Sequence, residues 1–137
     1  MPLQIFANES VIEYAQNLLD ADVEFIQSKG VTVDIAVVHE LEDFYIPSKA
    51  TFILLNTDID FGCKNFGDDK RYVITYGFNA RATVTASSTV DDSRKMVCLQ
   101  RSIKTLFGDE IEPQEFYVEN LPEDLLLPCV ILKLICA

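Results

Sequence analysis

The apolar positions of this chain fall into short, nearly continuous runs separated by polar breaks, a spacing that predicts buried strands joined by turns and few helices. Leu3, Ile5 and Phe6 make a first run over 2–7 suited to a strand. Ser10-Val11-Ile12-Glu13 then has the Ser-x-x-Glu spacing in which two side chains satisfy orphan amides of a helix start, with Asn8 as the other candidate cap. Val11, Ala15, Leu18, Leu19, Phe25 and Ile26 follow as one apolar stripe at helical spacing. Lys29-Gly30 supplies a helix end, with lysine favourable at the negative pole and glycine free to take positive φ. A helix is therefore expected from about Ser10 to Lys29. Val31–Val38 (VTVDIAVV) is β-branched and almost wholly apolar, as in a strand covered on both faces. His39 to Asp43 is a polar exit, and Pro47-Ser48 marks a loop before a third buried strand, Ala50–Asn56. Asn56 to Asp60 forms an acidic turn, and FGCKNFGDDK over 61–70 reads as a loop or a single helical turn. Val73–Tyr76 is the fourth strand, Gly77 a sharp turn, and Ala82–Ser88 the fifth strand.

Beyond Ser88 the pattern changes. Met96–Ile103 and Ile111–Val118 read as extended segments, the second placed at an edge by Pro113, and Phe107-Gly108-Asp109 is a turn that would join them as a hairpin. Asn120, Pro122, Glu123 and Asp124 make a helix start, while Pro128 opposes helix continuation; a helix is expected over a strand for this last segment. The expectation is one α/β domain over residues 1–137. It has a mostly parallel sheet and a β-rich C-terminal portion packed at one edge.

Composition narrows the function classes. The chain has 137 residues, enough for one core but not two, and 49% hydrophobic residues put it in the globular class. A formal charge of −11 argues against nucleic acid, whose phosphates need neutralising cations, and against an anionic membrane surface. No run approaches the ~20 apolar residues of a membrane span, and MPLQIFANES lacks the features of a signal peptide. Cys63, Cys98, Cys129 and Cys136 form no Cys-x-x-Cys and are joined by one histidine, His39. A reduced, cytoplasmic protein without zinc is expected.

Candidate chemistry is sparse. Nucleophilic catalysis needs a base beside the nucleophile, and His39 lies far in sequence from every cysteine. The first strand-to-helix turn, Ala7-Asn8-Glu9-Ser10, has no glycine and carries an acid where phosphate would sit, excluding an ordinary P-loop or Rossmann dinucleotide site. Asp58, Asp60, Asp68 and Asp69 could hold Mg²⁺ at a strand's carboxyl end, though aspartate is also what turns favour. Arg71, Arg81, Arg94 and Arg101 could form a small anion site, with solvated arginines as the plainer reading.

Two pieces carry a family resemblance. FILLNTDID over 52–60 and VITYGFNARATVTASS over 73–88 resemble the end of the central domain of the Mur ligases, the ATP-dependent amino-acid ligases of peptidoglycan synthesis. In that family an apolar strand ends in N-x-D-D, and a later strand ends in a T-[FY]-G-[FL] turn followed by A-D-V-x-A. Order and separation match over about 40 residues, Thr51 to Ser88. Ile59 replaces the second Asp of N-x-D-D and Thr83 the Asp of A-D-V. The ATP loop, the metal and lysine residues and the ligase domain have no counterpart. The resemblance implies a half-sheet of that kind without catalytic machinery, in which Asn56 lies near a nucleotide base and the Gly77 turn is kept.

The expected function is a non-catalytic binding or regulatory module for a nucleotide, a cell-wall precursor such as a UDP-sugar, or a protein partner. Asn56, Asp58, Gly77, Asn79 and Arg81 are the expected contacts, with no cofactor and no metal. The alternative is a small Mg²⁺-dependent enzyme using Asp58 and Asp60. With a single firm helix for two sheet faces, self-association is a further expectation.

Overall fold

A computed structural model of the chain describes residues 2–19, 22–28, 30–40, 43, 49–59, 72–86, 94–119 and 123–136. The described elements are β1 (Leu3–Phe6), α1 (Glu9–Ala15), β2 (Val23–Ile26), β3 (Thr32–Val38), β4 (Lys49–Asn56), β5 (Tyr72–Tyr76), β6 (Val84–Ala86), β7 (Arg94–Leu99), β8 (Ile103–Lys104), β9 (Glu110–Ile111), β10 (Gln114–Glu119) and α2 (Glu123–Ile135). Eight strands build one sheet in the order β10-β7-β6-β5-β4-β3-β1-β2, and β8 pairs with β9 separately. From β2 to β6 every neighbouring pair is parallel, whereas β7 and β10 are antiparallel to their neighbours. This is the mostly parallel α/β sheet that the apolar runs predict.

Side-chain alternation divides the strands between two apolar clusters. Ile35 and Val37 of β3 join Phe52 and Leu54 of β4 and Ile74 and Tyr76 of β5 in the larger one, with Val11 and Ala15 of α1 and most of α2. Ala36 and Val38 of β3 meet Ile53 of β4 and Phe6 of β1 in the second. All three of Ala36, Val38 and Ile53 are fully buried within the single chain. Both faces of the central strands are therefore apolar, which is why VTVDIAVV and ATFILLN read as continuous runs and not as alternating ones. The shortage of helices does not, on this account, leave the second face open.

Several local expectations give way to the structure. The helix ends at Ala15, and Phe25 and Ile26 belong to β2, paired in parallel with Ile5 and Phe6 of β1. Val23-Glu24-Phe25-Ile26 is β-branched and aromatic, and joining the sheet satisfies its backbone groups along β1. The helix cap is Asn8, whose side chain accepts from Val11 N, so Ser10 lies inside the first turn and the Ser-x-x-Glu box is not the start. The 96–103 segment divides into β7 and β8, with Gln100 to Ser102 between them. Gly108 (φ +90°) turns the small β8–β9 hairpin, and the longer ladder is β7 with β10.

The C-terminal segment is helical, and α2 runs through Pro128. Losing the Pro128 amide removes one bond near the helix start. Burial of Leu126, Cys129, Ile131, Leu132 and Ile135 outweighs that loss, since full burial of each large aliphatic side chain contributes about 1.5–3 kcal/mol. The link from β5 to β6 needs no crossover helix. Tyr76, the last residue of β5, is level with Val84, the first of β6, so residues 77–83 only step sideways. Cys63, Asp60, Asp68, Asp69, Arg71 and the 61–70 loop lie outside the described residues.

Candidate functional site at the carboxyl edge of the sheet

Because β1, β3, β4 and β5 are parallel neighbours, their carboxyl ends share one edge of the sheet. The exits brought together there are Ala7-Asn8, His39-Glu40, Asn56-Thr57-Asp58 and Tyr76-Gly77. The chain order also reverses at this edge, with β1 lying between β2 and β3, which is where open α/β sheets take ligands.

Asp43 organises the part next to β1 and β3. Its Oδ2 accepts from the backbone N of His39 (3.2 Å), the backbone N of Glu40 (2.9 Å) and Asn8 Nδ2 (3.0 Å). Asn8 therefore serves two ends of the fold, its Oδ1 capping α1 and its amide nitrogen holding the β3 exit. The amide of Asn56 continues the chain of contacts, donating from Nδ2 to His39 O at 3.0 Å while its Oδ1 accepts from Asp58 N at 3.0 Å.

The second part joins the β4 exit to the β5–β6 step. Thr57 donates both its backbone N (2.8 Å) and its hydroxyl (3.0 Å) to Tyr76 O. Both carboxylate oxygens of Asp58 are used, Oδ2 accepting from Phe78 N at 2.7 Å and Oδ1 from Asn79 Nδ2 at 2.9 Å. Asn79 Nδ2 also reaches Thr57 Oγ1, and its Oδ1 accepts from Arg81 N and Ala82 N, both at 3.1 Å. All of this closes over Gly77. A Cβ built there would lie 2.8 Å from Asn79 Nδ2, 2.8 Å from Asp58 Oδ1 and 2.9 Å from Thr57 Oγ1. The glycine is required by that close approach of three tethered polar groups. From the far side Gln100 Nε2 donates to Ala82 O (2.7 Å), and an Arg101 guanidinium N–H donates to Arg81 O (2.9 Å).

Asn56, Asp58, Gly77 and Asn79, expected from the sequence as ligand contacts, meet in one network, and the backbone of Arg81 joins it. Their polar groups are turned on each other. Facing out are the Phe78 ring, 47% exposed, and the Arg81 side chain, together with the exposed Thr57 and Asp58. Comparison with family models, curated proteins and solved structures finds no match to this chain. The chemistry of the edge is accordingly read from its own atoms.

Beneath the network His39 and Tyr76 are buried together, Nδ1 lying 2.7 Å from the Tyr76 hydroxyl and the rings stacked at 5.9 Å and 17°. Burial lowers the His39 pKa below its ordinary 6.5, against Asp43 and Asp124, which act to raise it. His39 is therefore neutral near pH 7 and shares a hydrogen bond with the tyrosine hydroxyl through Nδ1, its direction set by the tautomer. Burial also raises the Tyr76 hydroxyl well above its ordinary value, as do the nearby Asp43, Cys129, Asp58 and Glu40. The Cys129 thiol is pushed up to about 12 by burial and stays protonated. Histidine, tyrosine and cysteine are thus buried in their uncharged forms near pH 7.

No group of three metal-ligating side chains occurs among the described residues. Of the four arginines, Arg101 reaches the backbone of Arg81 at this edge, Arg94 begins β7, and Arg71 lies outside the described residues. Sequence reasoning missed Asn8, Asp43, Thr57 and Tyr76. Asn8 had a signal as a cap candidate; Thr57 and Tyr76 act between segments distant in sequence, and Asp43 ties the local amides of His39 and Glu40 to the distant Asn8.

Proposed function

We propose that this protein is a non-catalytic binding module of the Mur-ligase kind, taking a nucleotide or a UDP-sugar at the carboxyl edge of its sheet. One observation carries the reading. Four of the five expected contact residues meet at one turn tied by side-chain hydrogen bonds, which displays an exposed aromatic ring and an exposed arginine. Phe78 offers a face for a planar base, and Arg81 a fork of donors for phosphate. Asn56, Asp58 and Asn79 act as the frame that aims them. Gly77 permits the frame to close.

For the alternative, an Mg²⁺ enzyme, Asp58 accepts one hydrogen bond on each oxygen, from Phe78 N and Asn79 Nδ2, and Asp60 lies outside the described residues. The free Cys98, Cys129 and Cys136 suit a reducing, cytoplasmic setting. No helix among the described residues is long and apolar enough to cross a membrane.

Calorimetry with adenine nucleotides and UDP-sugars tests the proposal. Heat of binding is expected for one class, weakened about tenfold in Arg81→Ala by loss of a charge-assisted contact. No heat and no thermal shift with either class would reject it.

A further inference from the structure

At the opposite end of the sheet lies β10, a six-residue strand. It is paired along its inner side with β7, from Gln114↔Leu99 to Glu119↔Arg94. Among the described residues no strand pairs with its outer side. In an antiparallel ladder alternate residues direct N–H and C=O away from the partner, so such an edge is a template for one more strand. The residues leading into and along it are acidic and exposed, namely Glu112 and Glu115, in a chain of net charge −11. Register sets Thr85, Cys98 and Glu115 in one row across β6, β7 and β10, on one face of the sheet. That row lines a groove of about 540 Å³, with Gln100, Pro113 and Gln114 among its other walls. Burial and the Glu115 carboxylate raise the Cys98 thiol above its ordinary value, consistent with Glu115 lying over this row. Tyr117, on the same face two residues further on, is 50% exposed.

We infer that the β10 edge is a docking site for an extended basic peptide segment of another protein, which adds as a ninth strand and lays a lysine or arginine in the groove beside Glu115. Main-chain hydrogen bonds would supply affinity and the groove would select alternate side chains. The charge of the edge decides between occupants. A second copy pairing antiparallel through β10 would put the glutamates of two acidic chains on one short ladder, where like charges repel. A basic strand meets attraction at the same positions. Gln100 borders both this groove and the carboxyl-edge network, but the β10 ladder edge takes no part in that network, so each proposal is tested by its own probes and either can fail alone.

The test uses the full chain and three synthetic probes read by fluorescence anisotropy: an alternating Lys–Val peptide, its Glu–Val counterpart, and a Lys–Val peptide N-methylated on the amides of one edge. The Lys–Val peptide is expected to bind and to weaken as salt is raised. The Glu–Val peptide is expected not to bind, and N-methylation to cost about tenfold or more through lost ladder bonds. In Glu112→Lys/Glu115→Lys, with an unchanged thermal midpoint as the folding control, the preference between the two charged peptides is expected to reverse. Equal binding of both charged peptides, binding of neither, or indifference to N-methylation would overturn the inference. So would sedimentation showing that wild-type chains pair through this edge and that the double variant does not.

Discussion

Substituting Gly77 by alanine strikes the point where the carboxyl-edge network closes. The added Cβ would meet Asn79 Nδ2, Asp58 Oδ1 and Thr57 Oγ1 at 2.8–2.9 Å, closer than packed atoms tolerate. None of the three is a free flexible end. Asn79 Nδ2 is held by Thr57 Oγ1 and Asp58 Oδ1, and Asp58 by Phe78 N. Relief requires moving Asn79, which breaks two hydrogen bonds of about 1 kcal/mol each, and the remaining overpacking adds about 1 kcal/mol. The expected loss is about 3 kcal/mol, or roughly a 10 °C fall in Tm for a domain of this size. Urea and thermal unfolding followed by circular dichroism measure it. The cause is checked in an Asn79→Ala background, where the nearest obstacle is gone and the cost of Gly77→Ala should shrink by about 1 kcal/mol or more. A cost below about 0.5 kcal/mol in the wild-type background, or strict additivity of the two changes, would refute the reasoning.

Other consequences are open to simple assays. His39 has its pKa lowered in the fold, so the unfolded chain takes up its proton first as pH falls. The stability contribution is complete above the unfolded value of about 6.5 and is lost below it, at no more than about 1.4 kcal/mol per pH unit. Urea melts from about pH 8 to 5 should show this slope and His39→Gln should flatten it; an identical slope in the variant would reject the assignment. Tyr76→Phe leaves buried His39 Nδ1 without its 2.7 Å partner and should cost about 1–3 kcal/mol by denaturant titration. Asn8→Ala removes both the α1 cap and a donor to Asp43, and should cost at least about 1 kcal/mol. With thiols pushed up to about 12 and about 11, Cys129 and Cys136 should resist alkylation at about pH 8 until denaturant is added. Rapid native labelling of either would contradict their burial.

Much of this fold is written in the order of apolar residues. VTVDIAVV and ATFILLN announce β3 and β4 because strands covered on both faces need apolar side chains at nearly every position. The segment from Asp20 to Gly30 misleads because Phe25 and Ile26 fit a helical stripe as well as a strand. Only pairing with β1, a contact made outside the segment, decides between the two periods. The two-part ending of the sheet was hidden for the same reason: Gly108 signals a turn but not which strands flank it at what distance. At the candidate site, Asn56, Asp58, Gly77 and Asn79 were legible as turn residues. Their mutual bonds were not, since the partners lie about 20 positions apart in the chain. Asp43 bonds the amides of His39 and Glu40 a few positions back, but its tie to Asn8, far away in the chain, has no local signature.

The proposed ligand binding at the carboxyl edge is tested most directly by an amide-resolved NMR titration of the intact chain with a UDP-sugar and, separately, an adenine nucleotide. Saturable shifts are expected with one of them, concentrated on Thr57, Asp58 and Gly77 to Arg81 and lost in Phe78→Ala/Arg81→Ala. Saturable shifts confined to other parts of the sheet, or none with either compound, would contradict it.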